Sequence, residues 1–412
     1  MILARQGRLM GVTAAAAYLL LLLATPTGQA AEFETLPTVS ARAILGDKVG
    51  GPNYYVDEAV QSDGYVEIFT LVTKYGRFTI QGRALLVRRL DELRAIVAIE
   101  RMSKSKAFVK ALATSAIAPA RLAVETVKNP VKTVKQTVSG VGAFFDRLGS
   151  GLRNAGSDDS DGLIEGALGA SSAKRQIANE LGVDPYTDFK PLATRLDQLA
   201  AATAAGGLLP QAAFTAIGGP AGTALSSTSS VEGVRVLVLD QTPAQLRDLN
   251  RARLTEMGVG KAAASRFLNN PLYTPTDKVA LVAALRSLKG VENRSLYIDR
   301  AGQAKRRDAA LFLVKRAELI AQYQRSTGGI VRFISLGGMP LNQLEDGRIL
   351  AVMPFDRLVL TEEVSRTFAT ATEDMRKLER RPTGELRITG QVTKKARRKL
   401  RELGWTVAER GP

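Results

Sequence analysis

The residues of this chain whose types and spacing could do chemistry are few, because it contains no cysteine and no histidine. A thiolate nucleophile, a disulfide framework, the usual zinc, copper and haem ligands and a triad with an imidazole base are excluded on that ground. Catalysis would rest on carboxylates, lysine, serine, threonine or tyrosine. The nearest arrangement is Ser171-Ser172-Ala173-Lys174, which sets a lysine one helical turn from Ser171, where it can accept the hydroxyl proton. Ser103 and Lys106 repeat the spacing, and a chain of this length yields such a match by chance. Capping of a helix by Ser171 or Ser172 explains the same residues without catalysis.

Asp158, Asp159 and Asp161 offer oxygen ligands to a hard cation, but Leu168 stands where a calcium loop needs a bidentate glutamate. No phosphate-binding Walker loop and no G-x-S-x-G elbow occurs. The expectation is therefore no metal and no cofactor, and a protein that is not an enzyme. A hydrolase of envelope polymers using paired carboxylates, or Ser171 with Lys174, is the alternative.

Charge gives a second set of candidates. The formal net charge is +17, which makes an anionic lipid or an envelope polymer a plausible partner. Lys394, Lys395, Arg397, Arg398, Lys399 and Arg401 surround an apolar edge of Ala396, Leu400 and Leu403. Such a helix docks through its leucines and presents cations to phosphates or carboxylates. Lys128, Lys132 and Lys135 flank an apolar heptad seam over residues 117–148, interrupted by Pro130. That seam can cover the protein's own core, lie on an anionic membrane or pair with a partner protein. Gly258-Val259-Gly260 with Ala264 and Phe267 partly resembles the helix-hairpin-helix element that grips nucleic-acid phosphates. Arg253, Glu256 and Met257 depart from it, so a plain helix-to-helix turn is the preferred reading and nucleic acid is not an expected partner.

The elements that must position these residues read as an α+β fold, predominantly helical, with a small antiparallel sheet near the N-terminus and an α+β C-terminal unit. Arg5 and Arg8, an apolar run centred on residues 19–23, and Gly28-Gln29-Ala30 read as an export signal over residues 1–30, too short to span a bilayer. Its removal with Arg5 and Arg8 leaves +15. The expected location is the periplasm of a two-membrane bacterium, or outside the cell otherwise. Residues 31–82 read as a β-meander, and residues 83–148 as helical, beginning with an amphipathic helix to about residue 102. Residues 149–231 read as a loop to residue 162, short helices at 172–181 and 192–200, and an uncharged Ala/Gly-rich linker. The C-terminal unit, 232–412, is expected to open with a strand at 234–240. Helices follow to about 257, at 261–268, 276–288 and 294–325, then strands at 330–336 and 349–360, and a helix at 362–380. A strand at 386–389, the basic helix at 393–403 and a strand at 405–407 end the chain. No motif places the chain in a family. The reading as a whole is an exported, non-enzymatic protein that binds or scaffolds at an anionic surface, with the secreted hydrolase as the alternative and an exported nucleic-acid-binding protein as a further one.

Overall fold

The alternation of residues 67–73, Glu-Ile-Phe-Thr-Leu-Val-Thr, builds the central strand of the N-terminal sheet, with Phe69 and Leu71 fully buried. The computed structural model describes residues 32–103, 160–206, 229–378 and 382–411. Its first strands are β1 (Val39–Ser40), β2 (Gly50–Gly51), β3 (Tyr54–Val56), β4 (Ala59–Ser62), β5 (Glu67–Thr73) and β6 (Gly76–Gln81), with the short helix α1 (Ala41–Leu45) after β1. Every pairing is antiparallel, and β5 bonds to β3, β4 and β6. A sheet this small needs a cover. The cover is α2 (Arg83–Ser103), α3 (Ser160–Glu180) and α4 (Lys190–Gly206), whose Leu86, Leu90, Leu93, Ile177, Leu192 and Leu196 share one core with Phe69 and Leu71.

Two expectations fail in the middle of the chain. Residues 234–240 form not a strand but the end of a helix, α5 (Ser229–Asp240). Val234, Leu237 and Val238 recur at helical spacing and pack towards Leu246 and Val279, so burial of one helix face overrides the strand preference of valine. The helix expected over residues 172–181 begins at Ser160, so Ser171 and Ser172 lie inside α3 and cap nothing.

Helices α6 (Pro243–Glu256), α7 (Lys261–Asn269), α8 (Pro275–Ser287), α9 (Ser295–Gly302) and α10 (Arg307–Ser326) follow. Thr242 and Thr274 close capping boxes with Gln245 and Asp277, each with proline at the first helical position. The single long helix expected at 294–325 is broken between Gly302 and Arg307.

The second sheet takes β7 (Ile330–Leu336), β8 (Met339–Leu344), β9 (Ile349–Met353), β11 (Gly384–Ile388) and β13 (Trp405–Ala408), in the order β13-β11-β9-β8-β7. Its last three strands in sequence run parallel, joined by α11 (Glu362–Arg376) and α12 (Lys394–Glu402), while β7, β8 and β9 form antiparallel neighbours. A two-residue parallel pair, β10 (Arg357–Leu358) and β12 (Gln391–Val392), lies beside it. Each residue of β9 is buried. Leu350 and Val352 meet helices α6–α10, and Ile349, Ala351 and Met353 meet α11 and α12, so the sheet is covered on both faces as a parallel arrangement requires.

The N-terminal helices meet the C-terminal ones through an ionic junction. Arg89 on α2 binds Glu92 at 2.6 Å and Asp188 at 2.8 Å, and Arg307 on α10 binds Asp188 at 2.8 Å and Asp277 at 2.5 Å. Arg88 reaches the other oxygen of Asp277 at 3.5 Å. Asp184 accepts the hydroxyls of Thr276 at 2.6 Å and Thr274 at 3.4 Å. Arg89, Glu92 and Asp277 are all buried.

Candidate functional site

A cavity of about 830 Å³ opens beyond the carboxyl ends of β9 and β11. Met353 to Asp356 at the end of β9 and Thr389 and Gly390 after β11 line it, so it lies at the carboxyl ends of parallel strands, where open sheets of this kind hold ligands. Its apolar wall includes Phe312 of α10, Met353 and Phe355 at the end of β9, Phe368 and Ala371 of α11, and Trp405. The ring of Phe355 lies 5.0 Å from Tyr65 and 5.8 Å from Phe312, so an aromatic wall runs from the N-terminal sheet to α10.

The N-terminal sheet supplies the facing wall through the turn before β5. Asp63 Oδ1 accepts the amides of Tyr65 and Val66, both at 2.8 Å, and this fixes the turn. The carbonyl of Tyr65 then accepts the amides of Asp356 at 3.0 Å and Arg357 at 3.2 Å, and that of Gly64 accepts Val359 at 3.0 Å. Asp356 completes the joint. Its Oδ2 accepts the amides of Glu67 at 3.1 Å and of Arg83, the first residue of α2, at 3.0 Å. A carboxylate from the second sheet thus caps a helix of the first unit. Burial pushes the Asp356 carboxyl up to about 6 against the lowering effect of those amides. Glu67 beside it is fully buried and chelated by Arg83 at 2.5 and 2.8 Å.

Gly390 makes this joint possible. Its amide donates to Phe355 O at 2.8 Å, and a Cβ added there would stand 1.9 Å from the carbonyl oxygen of Asp356. Only a residue without a side chain fits between the ends of the two strands.

The rim carries charge. Arg306 is held by Asp308 at 2.6 Å and Gln81 at 2.9 Å, and Lys315 by Glu318 at 3.2 Å. Tyr65 Oη shares a hydrogen bond of 3.0 Å with Thr367, and burial raises its pKa. Arg300, exposed at the end of α9, has no ionic or hydrogen-bonding partner among the described residues. Among those residues no cluster of three or more carboxylates could hold a metal ion.

No protein-family model matches this chain, and no curated protein or solved structure is significantly similar to it. The reading of the site therefore rests on its geometry.

The residues singled out in the sequence lie elsewhere. Lys174 binds Asp197 on α4 at 2.7 Å, and the Ser171 hydroxyl accepts from Arg175 at 2.9 Å, so the two are not hydrogen-bonded as a nucleophile and its base. Arg175 also donates to Leu239 O at 2.8 Å and ties α3 to α5. On α12, Ala396 and Leu400 are buried, Lys394, Arg398 and Arg401 are exposed, and Arg397 binds Glu409 at 2.7 Å. Lys395 and Lys399 are half-buried. Val259, Ala264 and Phe267 are core residues of the α6–α7 turn. Residues 1–30, the seam at 117–148 with Lys128, Lys132 and Lys135, and Asp158 and Asp159 lie outside the described residues.

Sequence reasoning missed Asp356, Arg83 and Arg300. A signal existed for the first: Pro354-Phe355-Asp356 follows a continuous apolar run, so the carboxylate falls at a strand end.

Proposed function

We propose that this chain is an exported, non-enzymatic binding protein of the cell envelope, which holds a small amphipathic molecule in the cavity beyond β9 and β11. The observation that carries the reading is the mismatch within that cavity. Its walls are rich in aromatic and aliphatic side chains, whereas most of its polar groups are engaged by the protein. A site of this composition gains affinity by removing apolar ligand surface from water, roughly 25 cal/mol per Å². The exposed cations of α12, Lys394, Arg398 and Arg401, give the same protein a way to rest on an anionic surface from which such molecules come. Among the described residues no helix is long and apolar enough to cross a membrane.

The hydrolase reading is favoured by one observation, the raised pKa of Asp356 at a strand end. Against it, one Asp356 oxygen is occupied by two amides and its nearest acidic neighbour, Glu67, is chelated by Arg83. The binding reading is tested with Nile red, a neutral apolar dye whose emission rises in dry sites. The protein is expected to bind it saturably. Ala309→Trp, on the cavity wall, is expected to abolish that binding while leaving the thermal midpoint within a few degrees. Dye binding unchanged in Ala309→Trp would sink the proposal.

A further inference from the structure

Aromatic residues make up 6% of the chain, yet Tyr65, Phe312, Phe355, Phe368 and Trp405 all line the cavity, together with Met339 and Met353, two of its 7 methionines. An aliphatic wall would shelter hydrocarbon from water equally well. Rings and thioethers add an attraction that a saturated ligand does not collect, because a π face or edge is matched by another π system and sulfur is polarisable. Three of the rings form a series. Phe355 lies 5.0 Å from Tyr65 with the planes 42° apart, and 5.8 Å from Phe312 with the planes 30° apart, both within the range of favourable aromatic pairs. Phe355 is buried, whereas Tyr65 and Phe312 are half-buried, so the ends of the series are where a further ring can join it. The wall is fixed from behind. Tyr65 Oη shares a hydrogen bond with Thr367, and Phe355 O accepts Thr389 Oγ1 at 2.9 Å and Gly390 N at 2.8 Å. Trp405 Nε1 donates to Thr372 at 2.8 Å, its ring meets Phe368 edge to face at 5.5 Å, and a Cβ added to Gly384 would stand 2.4 Å from the indole. With its one donor engaged, the indole has only π surface left to offer.

We infer that the cavity selects ligands whose apolar part is a planar fused ring system, which extends the series Tyr65–Phe355–Phe312, over ligands with a saturated skeleton. The inference rests on the binding reading above and adds the shape and electronic character of the ligand's apolar part, whatever charge the ligand carries. A wall already held in place and a ligand without torsions to freeze both lower the ordering cost of binding, so the ring contacts appear as affinity. The 830 Å³ of the cavity is within the range that holds a molecule of several rings.

Calorimetric titration of the whole protein with 2-naphthalenemethanol and with decahydro-2-naphthalenemethanol tests this. The two alcohols share a carbon skeleton and a headgroup and differ in whether the rings are flat and aromatic. Area alone predicts that the saturated alcohol, with the larger apolar surface, binds at least as tightly. The aromatic alcohol is instead expected to bind about five- to tenfold more tightly. Phe312→Leu removes one end of the series and keeps an apolar side chain, and is expected to cut the preference to about twofold or less without weakening the saturated alcohol. Tyr65→Phe removes only the hydroxyl and is expected to keep the preference; its loss there would assign recognition to the hydroxyl and overturn the inference. Equal affinity in the wild type, tighter binding of the saturated alcohol, an equal loss for both in Phe312→Leu, or binding of neither also overturns it. In each of those cases saturable Nile red binding leaves the cavity as an apolar site, and absence of Nile red binding removes the binding reading as well.

Discussion

Two regions along helix α2 join the same two halves of the molecule in opposite ways. Arg89 and Glu92 enter a junction where acid and base alternate until each carboxylate oxygen of Glu92, Asp188 and Asp277 has a donor, with Arg307 Nη2 the nitrogen left over. Two turns earlier, Arg83 stands at a cavity with apolar walls and a rim on which Arg300 has no partner. The difference teaches how to separate scaffold from site. Perturbed pKa values occur in both, at Asp184 and at Asp356, each raised to about 6 with burial as the leading cause. Titration behaviour therefore does not tell the two apart. Pairing of the charged groups does: each junction carboxylate has a cation or hydroxyl partner, and Arg300 has none among the described residues.

The comparison breaks most visibly at Asp277. Asp277→Ala removes the partner of Arg307 and Arg88 together with the capping contact of Thr274, and is expected to cost about 3–5 kcal/mol in urea unfolding. Arg300→Ala should change the same stability by less than about 0.5 kcal/mol, since its side chain has no hydrogen bond or ion pair among the described residues. Similar losses for the two would erase the distinction between junction and cavity.

A second effect is read in pH. Asp356 holds its proton more readily in the folded state than in the unfolded chain. Its contribution to stability is therefore fully present below the ordinary aspartate value of about 3.9 and is lost as pH rises through about 6. Asp356→Asn keeps an acceptor for the amides of Glu67 and Arg83 and removes the titration. Its stability relative to wild type should rise by roughly 2.3 kcal/mol between pH 4 and pH 7, by chemical denaturation at a series of pH values. Asp188 acts in the other direction. Burial tends to raise it, but its bonds to Arg307 and the charge of Arg89 prevail and hold it below the usual carboxylate range. Its stabilisation is present above that range and disappears as pH falls, so only the difference between variant and wild type isolates Asp356.

The smallest of the three is at the strand ends. Gly390→Ala drives a methyl group into the backbone of Asp356 and should cost about 2 kcal/mol in the unfolding midpoint. Dye binding in the cavity should weaken with it, because the two strand ends can no longer close on each other. Unaltered binding would show that the cavity tolerates a wider joint.

Much of the fold was legible because its signals are local. The alternation of β5, the threonine-proline starts of α6 and α8, and the threonine cap, apolar edge and glycine stop of α12 each lie within a few residues. Helix α5 was not legible, since a valine-rich stretch becomes helical only when Val279 and Leu246 are there to receive it. Strand β8 was missed as well, because Pro340 and Asn342 interrupt its alternation. The cavity was invisible for a different reason. Asp63, Arg300, Phe368 and Trp405 come from four separate stretches of sequence, and no spacing rule relates them. The Ser171 and Lys174 spacing was visible and misleading, because Arg175, one residue further, takes the serine and Asp197 takes the lysine.

The joint at Asp356 also fixes an order of events. The turn at residues 63–66 bonds to residues 356–359, and Glu67 to Asp356 across 289 residues of sequence, so this loop closes only after everything between has been made. A chain synthesised from its N-terminus can form the β5–β6 hairpin and α2 early, with the first turn of α2 uncapped until Asp356 arrives. The cavity is thus among the last parts of the molecule to exist. Until it does, Phe69 and Leu71 can be sheltered by α2 to α4, but the aromatic wall around Phe355 has no opposite side.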